Sequence, residues 1–89
     1  MKIVRIVKTF GRKIGSTESY SSFEFSPQIV EARVDIDLDT PEGMEEYKRV
    51  SKQLFQIAID AHEEDVREAI QILPELKKTI EKKKKDGLW

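Results

Sequence analysis

The sequence predicts an α+β fold in which a three-stranded antiparallel sheet is followed by two or three helices packed on one face. Three observations lead to it: an alternating apolar and charged stretch at 30–39, β-branched and aromatic segments before it, and apolar residues at helical spacing after it. The 89-residue length predicts a single domain, with the sheet in 1–39, the helices in 40–85 and a tail at 86–89.

The stretch from Val30 to Asp39 is the central element of this prediction. Its even positions are apolar and its odd positions are charged. Because successive side chains of a strand point to opposite faces, the pattern predicts one dry face and one wet face. The helices are expected to cover the dry face.

The first strand is predicted at 2–10, where β-branched residues are frequent. Its alternation is imperfect, since Val4, Ile6 and Phe10 share one face while Ile3 and Val7 share the other. Either a partner chain or a ligand covers the second face, or the strand lies near the middle of the sheet with a mixed outer face.

A glycine- and serine-rich connection at 11–19 leads to a second strand at 20–25, after which Pro27 interrupts the pattern. The apolar positions also switch there from odd, at Phe23 and Phe25, to even, at Val30. Such a switch needs a tight turn or a bulged residue. We favour the turn, which gives a three-stranded meander.

A helix is predicted to begin at Pro41, because Asp39 or Thr40 can cap it and proline suits the first helical position. Apolar spacing continues to Leu73, so an unbroken helix would be about 50 Å long at 1.5 Å per residue. It either breaks around 62–65 or projects from the domain, and Pro74 then starts another helix. Because such helices commonly bury their apolar stripe in a symmetric dimer, we predict a homodimer built on the C-terminal helices.

Charge is strongly segregated along the chain. Residues 1–30 carry a net +3, residues 31–76 a net −8, and residues 77–89 a net +4. The chain has no cysteine or asparagine and is 37% charged, which resembles proteins from hot environments. Without cysteines, a membrane-span pattern or a signal-peptide pattern, the sequence predicts a cytoplasmic protein.

No residue pattern predicts catalysis, a metal or a cofactor. The only histidine begins the stretch His62–Asp65, whose consecutive side chains splay around a helix, so we interpret it as a solvated face. Asp35, Asp37 and Asp39 line the wet strand face, where protection of a sheet edge explains them better than acid–base chemistry does.

Two features near the C-terminus leave alternatives open. Lys82–Lys85 could bind phosphates, or could complement the dipole of a helix that ends before Gly87. Trp89 is either frayed or docked into a groove.

The remaining signal is a basic, aromatic hairpin. Cations contact phosphates and aromatic rings stack on unpaired bases, which is the usual physics of single-strand binding. The sequence therefore predicts a non-enzymatic, sequence-tolerant binder of single-stranded DNA or RNA. Alternatively the rings are core residues, and the chain is a protein interaction or assembly module with dimerising helices. The candidate binding residues are Arg5, Lys8, Phe10, Arg12, Lys13, Tyr20, Phe23 and Phe25.

The order of parts resembles the ThermoDBP family of archaeal single-stranded DNA-binding proteins. The resemblance lies in the basic aromatic segments at 8–14 and 20–25, the amphipathic strand and the long charged helices. It implies antiparallel strands packed on helices, a DNA cleft with an apolar floor and basic rims, and dimerisation through the C-terminal region. Phe10, Tyr20, Phe23 and Phe25 would belong to the floor, and Arg5, Lys8, Arg12 and Lys13 to the rim.

Overall fold

The structure, a computed structural model, describes residues 1–16 and 22–89. Strands come first and two helices follow, so the α+β class is confirmed. Its elements are β1 (Lys2–Phe10), β2 (Lys13–Gly15), β3 (Ser22–Glu24), β4 (Gln28–Asp37), α1 (Pro41–Ile72) and α2 (Pro74–Lys85).

The strands form two nested antiparallel pairs, β1 with β4 and β2 with β3. The predicted three-stranded sheet is therefore wrong. Between the paired residues Phe10–Gln28 and Lys13–Glu24, two residues connect β1 to β2, whereas three residues, the last of them Pro27, connect β3 to β4. The connection from β3 to β4 therefore contains one extra residue, and the chain continues through it in the same direction. The parity switch at Pro27 is a bulge-like irregularity and not the turn we favoured.

The alternation of β4 is confirmed. Val30, Ala32, Val34 and Ile36 are buried or half-buried, while the odd positions between 29 and 35 are exposed. In β1 a register shift between Ile3 and Arg5 brings Ile3 onto the same inner face as Ile6. The outer face of the pair carries exposed apolar side chains at Val4 and Ile29, which are 71% and 68% exposed.

A tight connection turns the chain from β4 into α1. Thr40 caps the helix by accepting a hydrogen bond from the Gly43 N–H at 3.0 Å, and Pro41 occupies the first turn, as predicted. The Thr40 hydroxyl donates to the Asp37 carbonyl oxygen at 3.1 Å. Gly43 is buried against that carbonyl, so α1 folds back over the inner face of the strands.

Helix α1 is unbroken over its 32 residues, and the molecule measures 52 × 23 × 20 Å. Two apolar clusters lie along the helix. The first joins Leu54 to Ile6 and Ile36, and the second joins Val66 to Ile14, Leu76 and Ile80. The far half of α1 therefore does not project alone, because β2 and α2 pack against it.

Pro74 starts α2 directly after α1, and α2 returns along β2. Its first turn lies near one end of that strand, where the Ser16 hydroxyl donates to Glu75 at 3.2 Å. Its last turn lies near the other end, where Lys83 shares a cleft with Arg12. In the described part of the chain, no helix is both long and apolar enough to cross a membrane.

Candidate nucleic-acid interface

His62 lies between the two apolar clusters and is fully buried. The prediction of a solvated face is wrong for this residue, since a spacing of four places it in line with the buried Leu54, Ala58 and Val66. Two rings contact it in a T-shaped arrangement, and the distance between ring centroids is 5.2 Å for Phe10 and 5.5 Å for Phe25. The imidazole is part of an aromatic core and is not a surface group.

Arg12 holds this histidine from the irregular segment between β1 and β2. Its Nε donates a hydrogen bond to His62 Nε2 at 3.2 Å, and its terminal nitrogen pairs with Glu63 at 2.9 Å. Because arginine only donates, Nε2 must be unprotonated and Nδ1 carries the proton. Within the described residues, the buried Nδ1 has no hydrogen-bond partner.

Burial lowers the pKa of His62 below its ordinary value of 6.5, and the positive charge of Arg12 lowers it further against the opposing charges of Glu63 and Asp65. Protonation of His62 is therefore less favourable in the folded chain than in the unfolded chain. As the pH falls through the unfolded-state pKa, the unfolded chain binds a proton that the folded chain does not, and the fold loses stability.

We therefore expect the free energy of unfolding to fall as the pH is lowered from about 6.5, the unfolded-state value. His62→Leu should flatten that slope, since leucine cannot titrate. Urea unfolding at a series of pH values measures both slopes. Equal slopes for the wild-type and substituted chains would contradict this account of His62.

The predicted aromatic residues are directed inward. Phe10 also meets the Phe55 ring at 5.7 Å, and Phe23 and Phe25 pack against the second apolar cluster. All three predicted phenylalanines are half-buried. These contacts place the three rings against α1, as expected if they are core residues. Tyr20 lies outside the described residues.

The predicted cations do not share one surface. Arg5 points to the outer strand face, where its Nε lies 3.7 Å from Glu31, while Lys8 is half-buried on the inner-face side. Lys13 is exposed and pairs with Glu24 at 3.3 Å. Of the four predicted rim residues, only Arg12 and Lys13 lie together.

A concave surface does form around those two residues, and we call it the basic cleft. The guanidinium carbon of Arg12 lies 4.1 Å from the centroid of a Trp89 ring, a cation–π contact. The cleft has a volume of about 250 Å³ and is lined by Arg12, Lys13, Ile14, Lys83, Leu88 and Trp89.

The basic cleft unites the two positive segments of the sequence, because α2 returns along β2. The site prediction omitted Lys83 and Trp89, although the net +4 of residues 77–89 and the tryptophan were signals in the sequence. Trp89 is 39% exposed, so its ring is docked against Arg12 and still accessible.

Comparison of this chain with protein-family models, curated proteins and solved structures gives no match. Among residues 1–16 and 22–89, no three histidine, aspartate or glutamate side chains are placed to hold a metal ion together. The chemistry of the basic cleft is therefore the basis on which a function can be inferred.

Proposed function

We propose that this protein binds single-stranded nucleic acid at the basic cleft, without catalysis and with little preference for sequence. The observation that carries the proposal is the convergence of Arg12, Lys13 and Lys83 with the accessible Trp89 ring. An extended strand presents phosphates and unstacked bases side by side. The cleft likewise places cations, which can contact phosphates, beside an aromatic ring, on which a base can stack.

The residues of the cleft have different roles in the proposed binding. Lys13 is exposed and Lys83 is half-buried at the last turn of α2, so both ammonium groups can reach phosphates. Arg12 is tied to His62 and Glu63, and it supports one side of the Trp89 ring. A base stacks on the accessible part of that ring, and stacking of this kind contributes about 1–3 kcal/mol per base.

The resemblance to the ThermoDBP family supports the same ligand class, but the proposed cleft differs from the one that resemblance implies. Here the half-buried phenylalanines belong to the core, and Trp89 supplies the stacking surface. Arg5 and Lys8 lie outside the cleft, so they contribute at most long-range attraction.

Fluorescence anisotropy with labelled single-stranded DNA, single-stranded RNA and duplex DNA tests the proposal. We expect single strands to bind more tightly than the duplex, with affinity falling steeply between about 50 and 200 mM salt. Trp89→Ala should weaken binding about tenfold. Lys13→Gln and Lys83→Gln should each reduce the salt slope by about 1.

Lys52→Gln is the matched control, because Lys52 is an exposed lysine of α1 that does not line the cleft. It should leave the affinity and its salt slope nearly unchanged. Absence of any oligonucleotide binding at low salt would refute the proposal, as would equal effects of Lys52→Gln and Lys83→Gln.

A second candidate function is an assembly module. Exposed apolar side chains favour it, among them Val4 and Ile29 on the outer strand face and Ile57 and Ile72 on α1. Scattered apolar residues are normal on protein surfaces, whereas the basic cleft combines shape, charge and an aromatic ring. An assembly module would show no binding of oligonucleotides at low salt.

A further inference from the structure

Both strands of the β1–β4 pair have a free edge, since each pairs only with the other within the described residues. β1 has nine residues and β4 has ten, which is long for edge strands. A row of unpaired N–H and C=O groups on such a strand is a template for pairing with another chain.

The charge pattern distinguishes the two edges. β1 carries Lys2, Arg5 and Lys8 and no acidic residue, so two copies of β1 would bring like charges together. β4 alternates in sign on its outer face, with Glu31, Arg33 and Asp35 in succession. Of the two strands, only β4 has charges that can pair with opposite charges on a second copy of the same strand.

We propose that two copies of this chain form a symmetric dimer by antiparallel pairing of their β4 edges, with Ala32 on the two-fold axis. In this register Glu31 lies opposite Arg33 of the second copy, and the symmetry repeats the pair. On the inner face Val30 lies opposite Val34 of the second copy. The proposal does not depend on nucleic-acid binding.

The layout of the helices fits this arrangement. α1 packs on the inner face of both strands, with Tyr47 and Val50 against the first apolar cluster. Pairing through β4 gives a four-stranded sheet in the order β1, β4, β4, β1. Two strands are about 10 Å wide, which is the usual distance between packed helices, so the two copies of α1 can lie side by side.

The apolar surface of the helices also supports dimerisation through β4 over dimerisation through the C-terminal helices. The prediction of a dimer through the C-terminal helices relied on an apolar stripe, but Leu76 and Ile80 are already buried inside the chain. Ile57, by contrast, is 52% exposed. Successive residues of a helix are 100° apart, so Ile57 lies about 160° around α1 from Phe55. The Phe55 ring contacts Phe10 of β1, and Ile57 therefore lies on the side of α1 away from that contact.

Charge reversal tests the register by analytical ultracentrifugation. Glu31→Arg places arginines opposite each other twice and should raise the dimer dissociation constant about tenfold or more. Adding Arg33→Glu to it should restore the dimer. Arg5→Gln is the matched control, because it removes the same Arg5–Glu31 contact within one chain and leaves the β4 edge intact.

Cross-linking tests the position of the two-fold axis, since the native chain has no cysteine. Residues directly opposite in an antiparallel pair have Cα atoms about 4.5–5.5 Å apart, within disulfide range. Ala32→Cys should therefore form a disulfide-linked dimer on oxidation. Val34→Cys, on the same face of the same strand, should not, because its two copies would be about 13 Å apart.

The expected result is a dimer that Glu31→Arg weakens and the double reversal restores, with a disulfide cross-link for Ala32→Cys and none for Val34→Cys. A chain that stays monomeric at about 100 μM, which corresponds to an association free energy weaker than about −5.5 kcal/mol, would overturn the proposal. Equal cross-linking of the two cysteine variants, or growth into particles larger than a dimer, would overturn it as well.

Discussion

Gly43→Ala is expected to lower the free energy of unfolding by about 2–3 kcal/mol, although alanine ordinarily stabilises a helix interior by about 1 kcal/mol relative to glycine. A Cβ atom at position 43 would lie 1.8 Å from the Asp37 carbonyl oxygen and 2.7 Å from its carbon. These are backbone atoms, and the Asp37 oxygen also accepts a hydrogen bond from the Thr40 hydroxyl. Urea unfolding followed by circular dichroism measures the change.

Gly15→Ala provides the control for this substitution. A Cβ atom at position 15 would meet no heavy atom within 4 Å, so the stability should change by less than about 0.5 kcal/mol. If Gly43→Ala is as stable as the wild-type chain, then α1 does not begin in close contact with the end of β4, and the described connection is wrong.

Leu76→Ala is expected to cost about 2–5 kcal/mol, as for other fully buried leucines. Leu76 is completely buried between Ile14 of β2 and Val66 of α1, and it joins α2 to both. Because α2 carries Lys83 toward the basic cleft, the same substitution should also weaken oligonucleotide binding. Urea unfolding measures the first effect and anisotropy the second.

Ile72→Ala is the matched control for Leu76→Ala. Ile72 is an apolar residue near the same helix junction, but it is 76% exposed, so its truncation should change stability by less than about 0.5 kcal/mol. Similar losses for the two variants would mean that α2 is not packed against β2 and α1 as described.

The local elements were predictable because each depends on residues close in sequence. The alternation of β4 identified its inner face, and Thr40 with Pro41 identified the start of α1. The segment around Pro27 was not predictable in this way, since a turn and a bulge both suit proline and a change of parity. Contacts of Phe25 with His62, which is 37 residues away, accompany the bulge that the structure shows.

The candidate site was predictable only in part, because its residues meet through long-range packing. Arg12 and Trp89 are 77 residues apart in the sequence, and they meet because α2 reverses direction after Leu73 and returns along β2. Charge segregation indicated two positive segments, but not that they converge. The interpretation of His62 as part of a solvated face is wrong because burial at a spacing of four along α1 decides its position, although the side chains at 62–65 do splay around the helix.

Trp89 is the only tryptophan in the chain, so its fluorescence reports directly on the basic cleft. The claim that bases stack on Trp89 in the basic cleft can be tested by titrating the native protein with single-stranded oligonucleotide at low salt. Stacking of a base on the indole predicts quenching that saturates with added oligonucleotide and is reversed by salt. Tryptophan emission that stays constant while anisotropy shows the oligonucleotide bound would place the binding surface elsewhere and contradict the claim.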